Sequence, residues 1–136
     1  ITAFMGFLDP LTHRVNYHSG GQGPILHFRA AGGICDWYKP TSFPVGIMEI
    51  DETQVSANLQ LEHGDILALI SDGIYEYARL DGEEFGEARV AEIFRANCQL
   101  SMAELSKNLI KAVTDFGGDV KQADDITLVL VRRLPE

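Results

Sequence analysis

The sequence predicts an α+β fold, an antiparallel sheet covered by helices. Three observations predict it. Strand signals separated by turn signals fill residues 1–70. Apolar positions then recur at helical spacing between residues 87 and 113. A last apolar segment at 126–131 returns as a strand.

The strands come first. Ile1 to Leu8 is almost wholly apolar and reads as a strand buried on both faces. Asp9-Pro10-Leu11-Thr12 has turn chemistry, because proline presets φ and aspartate caps its own turn. Arg14 to His18 alternates, with Val15 and Tyr17 on one face. Gly20-Gly21-Gln22-Gly23 is a glycine-dense turn, and Ile25 to Arg29 is the next strand. These three strands are expected to form a meander. Ala30 to Pro44 holds Gly32, Gly33, Pro40 and Pro44, and reads as loop with a short strand around Trp37. From Gln54 to Leu61, Val55, Ala57, Leu59 and Leu61 alternate with Gln54, Ser56, Asn58 and Gln60. That period of two means one buried face and one wet face. Glu62-His63-Gly64-Asp65 turns the chain into Ile66 to Ile70, an apolar strand suited to the middle of a sheet.

The helices follow. Glu87 to Asn97 places Val90, Ile93 and Phe94 at helical spacing. Ser101 and Glu104 match a capping box, which satisfies two orphan amides at a helix start. Met102, Leu105, Leu109 and Val113 line one face of that helix, and Gly117-Gly118 ends it. Ile126 to Val131 is apolar on both faces, so its period is not readable.

The bulk numbers bound the function. A chain of 136 residues suits one domain, and 46% hydrophobic with 23% charged residues suits a folded globular chain. No apolar run approaches the roughly 20 residues of a membrane helix. Eleven basic residues against 20 acidic give a net charge of −9. That argues against nucleic acid and against an anionic membrane surface as partners. An acidic chain that handled phosphate would need a positive group at the site, and a bound cation is the simplest supplier. Cys35 and Cys98 form no CxxC pair, so reduced thiols of a cytoplasmic protein are expected. The opening Ile1-Thr2-Ala3-Phe4-Met5-Gly6-Phe7 shows no signal-peptide pattern. It starts directly inside a strand, so the sequence is expected either to start mid-domain or to lack an upstream segment.

Two acidic sites flank the most apolar strands. Ser71-Asp72-Gly73 follows Ile66 to Ile70, and Asp124-Asp125-Ile126-Thr127 precedes the last strand. Each alone is commonly a turn or a loop cap. If the two strands are antiparallel neighbours, the end of one lies beside the start of the other, within reach of one ion. Carboxylates so placed raise each other's pKa unless a cation removes the conflict. Oxygen donors with water suit magnesium or manganese rather than zinc. Glycine after Asp72 lets the backbone turn sharply.

Ser71-Asp72-Gly73-Ile74-Tyr75-Glu76-Tyr77, then Gly82-Glu83-Glu84-Phe85-Gly86, then Ala123-Asp124-Asp125-Ile126-Thr127-Leu128-Val129 resemble the SpoIIE/RsbU-like branch of the type 2C, metal-dependent protein phosphatases. Phe43-Pro44-Val45-Gly46-Ile47 is similar to the family's P-L-G-(I/L) segment, and Ala3 to Asp9 to the strand before its D-P-x-T-G hairpin. The resemblance covers essentially the whole chain. It implies an antiparallel β-sandwich flanked by helices. It implies that Asp72 and Asp124 are catalytic, that Asp72, Asp124 and Asp125 are metal ligands, and that Ser71, Gly73 and Thr127 support the site. It further implies a two-metal Mn2+ or Mg2+ centre activating water for attack on phosphoserine or phosphothreonine. The implied substrate is a phosphorylated partner protein, such as an anti-sigma-factor antagonist in bacterial signalling. An upstream sensor or receiver domain is the implied controller. Neither cysteine lies in a loop of the kind cysteine phosphatases use.

Two departures mark the resemblance. At His18-Ser19-Gly20-Gly21-Gln22-Gly23-Pro24 the family's turn histidine is replaced by Gly21. The family's earlier aspartate-glycine motif has no match in these 136 residues, since Asp9-Pro10 is a hairpin turn. The chain is therefore expected to carry part of the metal cluster and to bind metal weakly by itself. A non-catalytic adaptor that binds partner proteins is the alternative reading.

Overall fold

Asp9 fixes the first turn. Its carboxylate accepts the Thr12 hydroxyl at 2.8 Å and the Leu11 amide at 2.9 Å, and these bonds hold its pKa below the ordinary value. The computed structural model describes residues 1–48 and 56–134. The chain divides into two compact units, residues 1–67 with 132–136, and residues 68–131. Antiparallel sheets and helices make the fold α+β.

In the first unit, β1 (Ala3–Asp9), β2 (Arg14–Gly20) and β5 (Ala57–Gln60) form an antiparallel sheet in the order β1-β2-β5. Val15 lies opposite Leu59, and Tyr17 opposite Ala57. Val15, Tyr17 and Leu59 are buried, as the alternation predicts. Gln54 and Val55, assigned to this strand from the sequence, lie outside the described residues. Phe4 stacks on Tyr17 with ring centroids 5.3 Å apart. The expectation that β1 is buried on both faces is corrected. Met5 and Phe7 are 79% and 69% exposed, across from His18 and Asn16 respectively on the wet side. β1 is a sheet edge, and an apolar run states only how much surface could be buried, not what covers it.

The three-strand meander is also corrected. β3 (Ile25–Arg29) pairs with β4 (Ile34–Tyr38), not with β2. The end of β2 bonds elsewhere: Ser42 donates its amide to Ser19, and Gly21 donates to Ser42. Gly21 has a φ of 70°, and a Cβ there would lie 2.4 Å from the Pro44 ring. Both facts account for glycine at this turn.

β3 lies between β4 and β6 (Ile66–Ile70), whose first residues belong to this unit. Asp65, 1% exposed, joins three segments just before β6. It shares a 2.8 Å hydrogen bond with His27 Nε2, and accepts the Ala30 and Glu62 amides at 2.9 and 3.0 Å. Its own carbonyl accepts the Arg133 amide, while Gly64 donates to the Arg133 carbonyl.

The second unit holds α1 (Asp72–Tyr75), α2 (Gly86–Asn97), α3 (Met102–Gly117) and most of β7 (Leu128–Arg132). Four-residue α1 was not readable from periodicity. Val90, Ala91 and Phe94 of α2 and Leu105, Leu109 and Val113 of α3 are buried. The capping box forms in full: Ser101 Oγ accepts the Glu104 amide, and the Glu104 carboxylate accepts the Ser101 amide. Gly118, at φ 59°, ends α3. Among the described residues no helix is long and apolar enough to cross a membrane.

Replacing Asp65 with alanine strands the Ala30 and Glu62 amides and His27 in a buried site. Denaturant unfolding is expected to show a loss of about 3 kcal/mol, with Asp65→Asn losing less because its amide oxygen still accepts. A loss within about 0.5 kcal/mol, the range of ordinary surface changes, contradicts this account.

Candidate functional site

The site is built where β6 ends and β7 begins. Ser71 donates its amide to the Thr127 carbonyl at 3.0 Å, six residues along from the point where Arg133 bonds Asp65. The numbering runs in opposite directions, so β6 and β7 are antiparallel neighbours. Ser71 Oγ closes the junction. It donates to the Asp125 carbonyl at 2.9 Å and accepts the Thr127 amide at 2.8 Å. Asp72 therefore leaves β6 beside the segment that carries Asp124 into β7.

Gly73 permits the closest approach. A Cβ on it would lie 2.4 Å from the Asp125 carbonyl oxygen and 3.0 Å from that of Asp124. Any side chain here would push the 124–125 backbone away from α1. Glycine is needed for contact rather than for a positive φ.

A cavity of about 340 Å³ opens at this junction. Asp72, Gly73, Glu76, Tyr77, Arg79, Val120, Lys121 and Asp124 are among its lining residues. Two of the three expected metal ligands, Asp72 and Asp124, thus line one cavity. Asp125 is not among the lining residues; what joins it to the site is its carbonyl, held by Ser71. Ser71 and Thr127 hold the strand ends together. Among the described residues, no three acidic, histidine or cysteine side chains converge as a metal-binding group. Two exposed carboxylates lining one cavity nevertheless fit a hard divalent ion that keeps several waters.

Local packing sets these positions. The Tyr77 hydroxyl donates to the Val120 carbonyl at 2.7 Å. Its ring lies against Gly117, where a Cβ would come within 2.0 Å. This fixes the end of α3 and the start of the segment that leads to Asp124. Asp72 Oδ1 accepts the Gly73 amide at 3.1 Å, and Asp124 Oδ1 accepts the Asp125 amide at 2.7 Å. Tyr75 is pushed up to about 12, first by burial and then by the charges of Asp72, Glu76 and Glu87, so it stays a neutral phenol.

The acidic loop at 81–84 is internally engaged. Glu83 pairs with both Arg79 and Arg89, and Asp81 accepts Arg79 at 3.0 Å. Both guanidinium groups lie over the Phe116 ring, at 5.0 and 4.6 Å from its centroid.

Sequence reasoning missed Glu76, Tyr77, Arg79, Val120 and Lys121 as cavity residues. Glu76 carried a weak signal, four residues after Asp72 and so on the same face of a helical turn. The others carried none; Val120, for one, is held by the Tyr77 hydroxyl from far along the chain.

Comparison with known proteins follows from this geometry. Residues 1–134 match the family described as Stage II sporulation protein E (SpoIIE). Protein IcfG of Synechocystis sp. (strain ATCC 27184 / PCC 6803 / Kazusa) is 27% identical over 132 residues, 97% of this chain and 20% of its own length. The SiaA-PP2C domain of Pseudomonas aeruginosa superposes with a TM-score of 0.78 at 20% identity, over 96% of this chain and 51% of that one. The phosphatase domain of SpoIIE from Bacillus subtilis, presoaked with Mn, superposes with a TM-score of 0.74 at 23% identity, over 100% and 57%. The chain spans about half the length of these two structures.

Gly73→Ala tests the junction itself. It is expected to destabilise the chain by about 1–3 kcal/mol, as overpacking does, and to shift the backbone amide resonances of Asp124 and Asp125. Unchanged stability and unchanged resonances contradict the close approach.

Proposed function

The chain belongs to the stage II sporulation protein E family, whose fold is that of type 2C phosphatase domains, and on that premise we propose that it is the C-terminal portion of a metal-dependent protein serine/threonine phosphatase domain. The single observation that carries the proposal is the cavity shared by Asp72 and Asp124 at the Ser71-clasped strand ends. In this reading the two carboxylates hold Mn2+ or Mg2+, and Asp125 backs them through its carbonyl. When bound, such ions supply a polarised water and neutralise charge on the phosphoryl group.

The chain's own residues supply the rest. Ser71 and Thr127 keep the two ligand-bearing ends in register. Gly73 keeps their backbones in contact. Tyr75, held neutral, adds no further negative charge beside Asp72. No side chain is required as a nucleophile, since water is the attacking group. The substrate is a phosphorylated partner protein, in bacterial signalling an anti-sigma-factor antagonist, and a sensor or receiver domain controls the reaction in the cytoplasm.

A non-catalytic adaptor is the second reading. It is favoured by one observation, the absence of a third converging ligand among the described residues. Activity separates the two. A chain extended to the length of the relatives' phosphatase domains is expected to release phosphate from a phosphoserine protein only with Mn2+ or Mg2+. Asp72→Asn is expected to lower that rate by about 100-fold or more, beyond the effect of losing a residue that merely orients a ligand. A folded, extended chain that binds the phosphoprotein without hydrolysing it supports the adaptor instead.

A further inference from the structure

The charges in the cavity do not balance for a phosphorylated substrate. Asp72, Glu76 and Asp124 bring three negative charges, against Arg79 and Lys121. Glu76 adds a carboxylate to the cavity beyond the two that would hold a cation. A positive side chain at the cavity favours the approach of a phosphate dianion to a chain of net charge −9. Arg79 is already committed to Asp81 and Glu83 and lies over Phe116. Lys121 has no ion-pair partner among the described residues.

We infer that Lys121 is the cation that receives the substrate's phosphoryl group at the mouth of this cavity. The inference rests on the phosphatase reading above and extends it to a residue that binds substrate. An ammonium group on a flexible stem offers three donors to phosphoryl oxygens, without a fixed fork. Its backbone is anchored just before it. The Val120 carbonyl accepts the Tyr77 hydroxyl, and the Val120 amide donates to Gly117. Gln122 Nε2 donates to the Asp124 carbonyl. Lys121 thus stands on a braced segment, three residues before the ligand Asp124.

The test is a resonance-perturbation titration of the chain with inorganic phosphate as the probe, in saturating Mg2+. Wild-type protein is expected to show phosphate-dependent shifts at Lys121 and Asp124. Lys121→Met is expected to weaken phosphate binding about tenfold, the scale of one charge-assisted hydrogen bond. Lys121→Arg is expected to recover most of it, which separates charge from packing. Equal phosphate affinity in wild type and Lys121→Met overturns the inference, as does wild type showing no phosphate response at the cavity. Mg2+ titration of the same samples reports on the underlying reading separately. Lys121→Met leaves Mg2+ affinity unchanged or tighter if the lysine acts on phosphate. A wild-type chain that binds phosphate through Lys121 without responding to Mg2+ sinks the metal reading and keeps the lysine.

Discussion

Two strand ends have to be held side by side, and one serine side chain does much of that. Ser71 bonds the Thr127 and Asp125 backbones, so the exit of β6 and the start of β7 share one junction. Everything proposed for the site depends on it. Asp72 opens α1 directly after β6, and Asp124 lies on the segment leading into β7, which Ser71 clasps at Asp125 and Thr127. Gly73 adds the complementary constraint, since no larger residue lets α1 lie against the 124–125 backbone. Position 72 is then aimed into the same space as position 124 without any direct bond between their side chains.

Charge gives the site its character. A cavity lined by three acids in an acidic chain is a poor receptor for phosphate and a good one for a divalent cation. In the loop that looks most acidic in sequence, Asp81 and Glu83 are paired with Arg79 and Arg89, which lie over Phe116. Exposed pairs of this kind contribute little to stability, but they remove Arg79 from competition for an anion. Lys121 is left as the cavity's uncommitted positive group among the described residues.

Much of this was legible in the sequence, and the failures have a common cause. The alternation at Val15 and Tyr17, the Ser101–Glu104 box and the apolar strand at Ile66 are local signals, and each appears as read. The flanking aspartates were legible because they interrupt the two most apolar segments. What was misread depends on partners distant in sequence. The apolar content of β1 could not say that Met5 and Phe7 stay exposed, nor could the glycine-rich turn at 20–23 say that β3 leaves the first sheet for β4. Asp65 looked like an ordinary turn residue; its burial against His27 is a tertiary fact. The four residues of α1 are too few for a period, and the Tyr77 bond to Val120, next to Lys121, joins residues 43 apart in sequence.

The central claim is that Asp72 and Asp124 share one divalent ion, and diffraction locates such an ion directly. Crystals of the chain soaked in Mn2+ and measured at the manganese absorption edge are predicted to show an anomalous peak within about 2.0–2.6 Å of a carboxylate oxygen from each residue, the range of hard-cation bonds to oxygen. A fully soaked crystal with no peak there, or with manganese bound to only one of the two, contradicts the account.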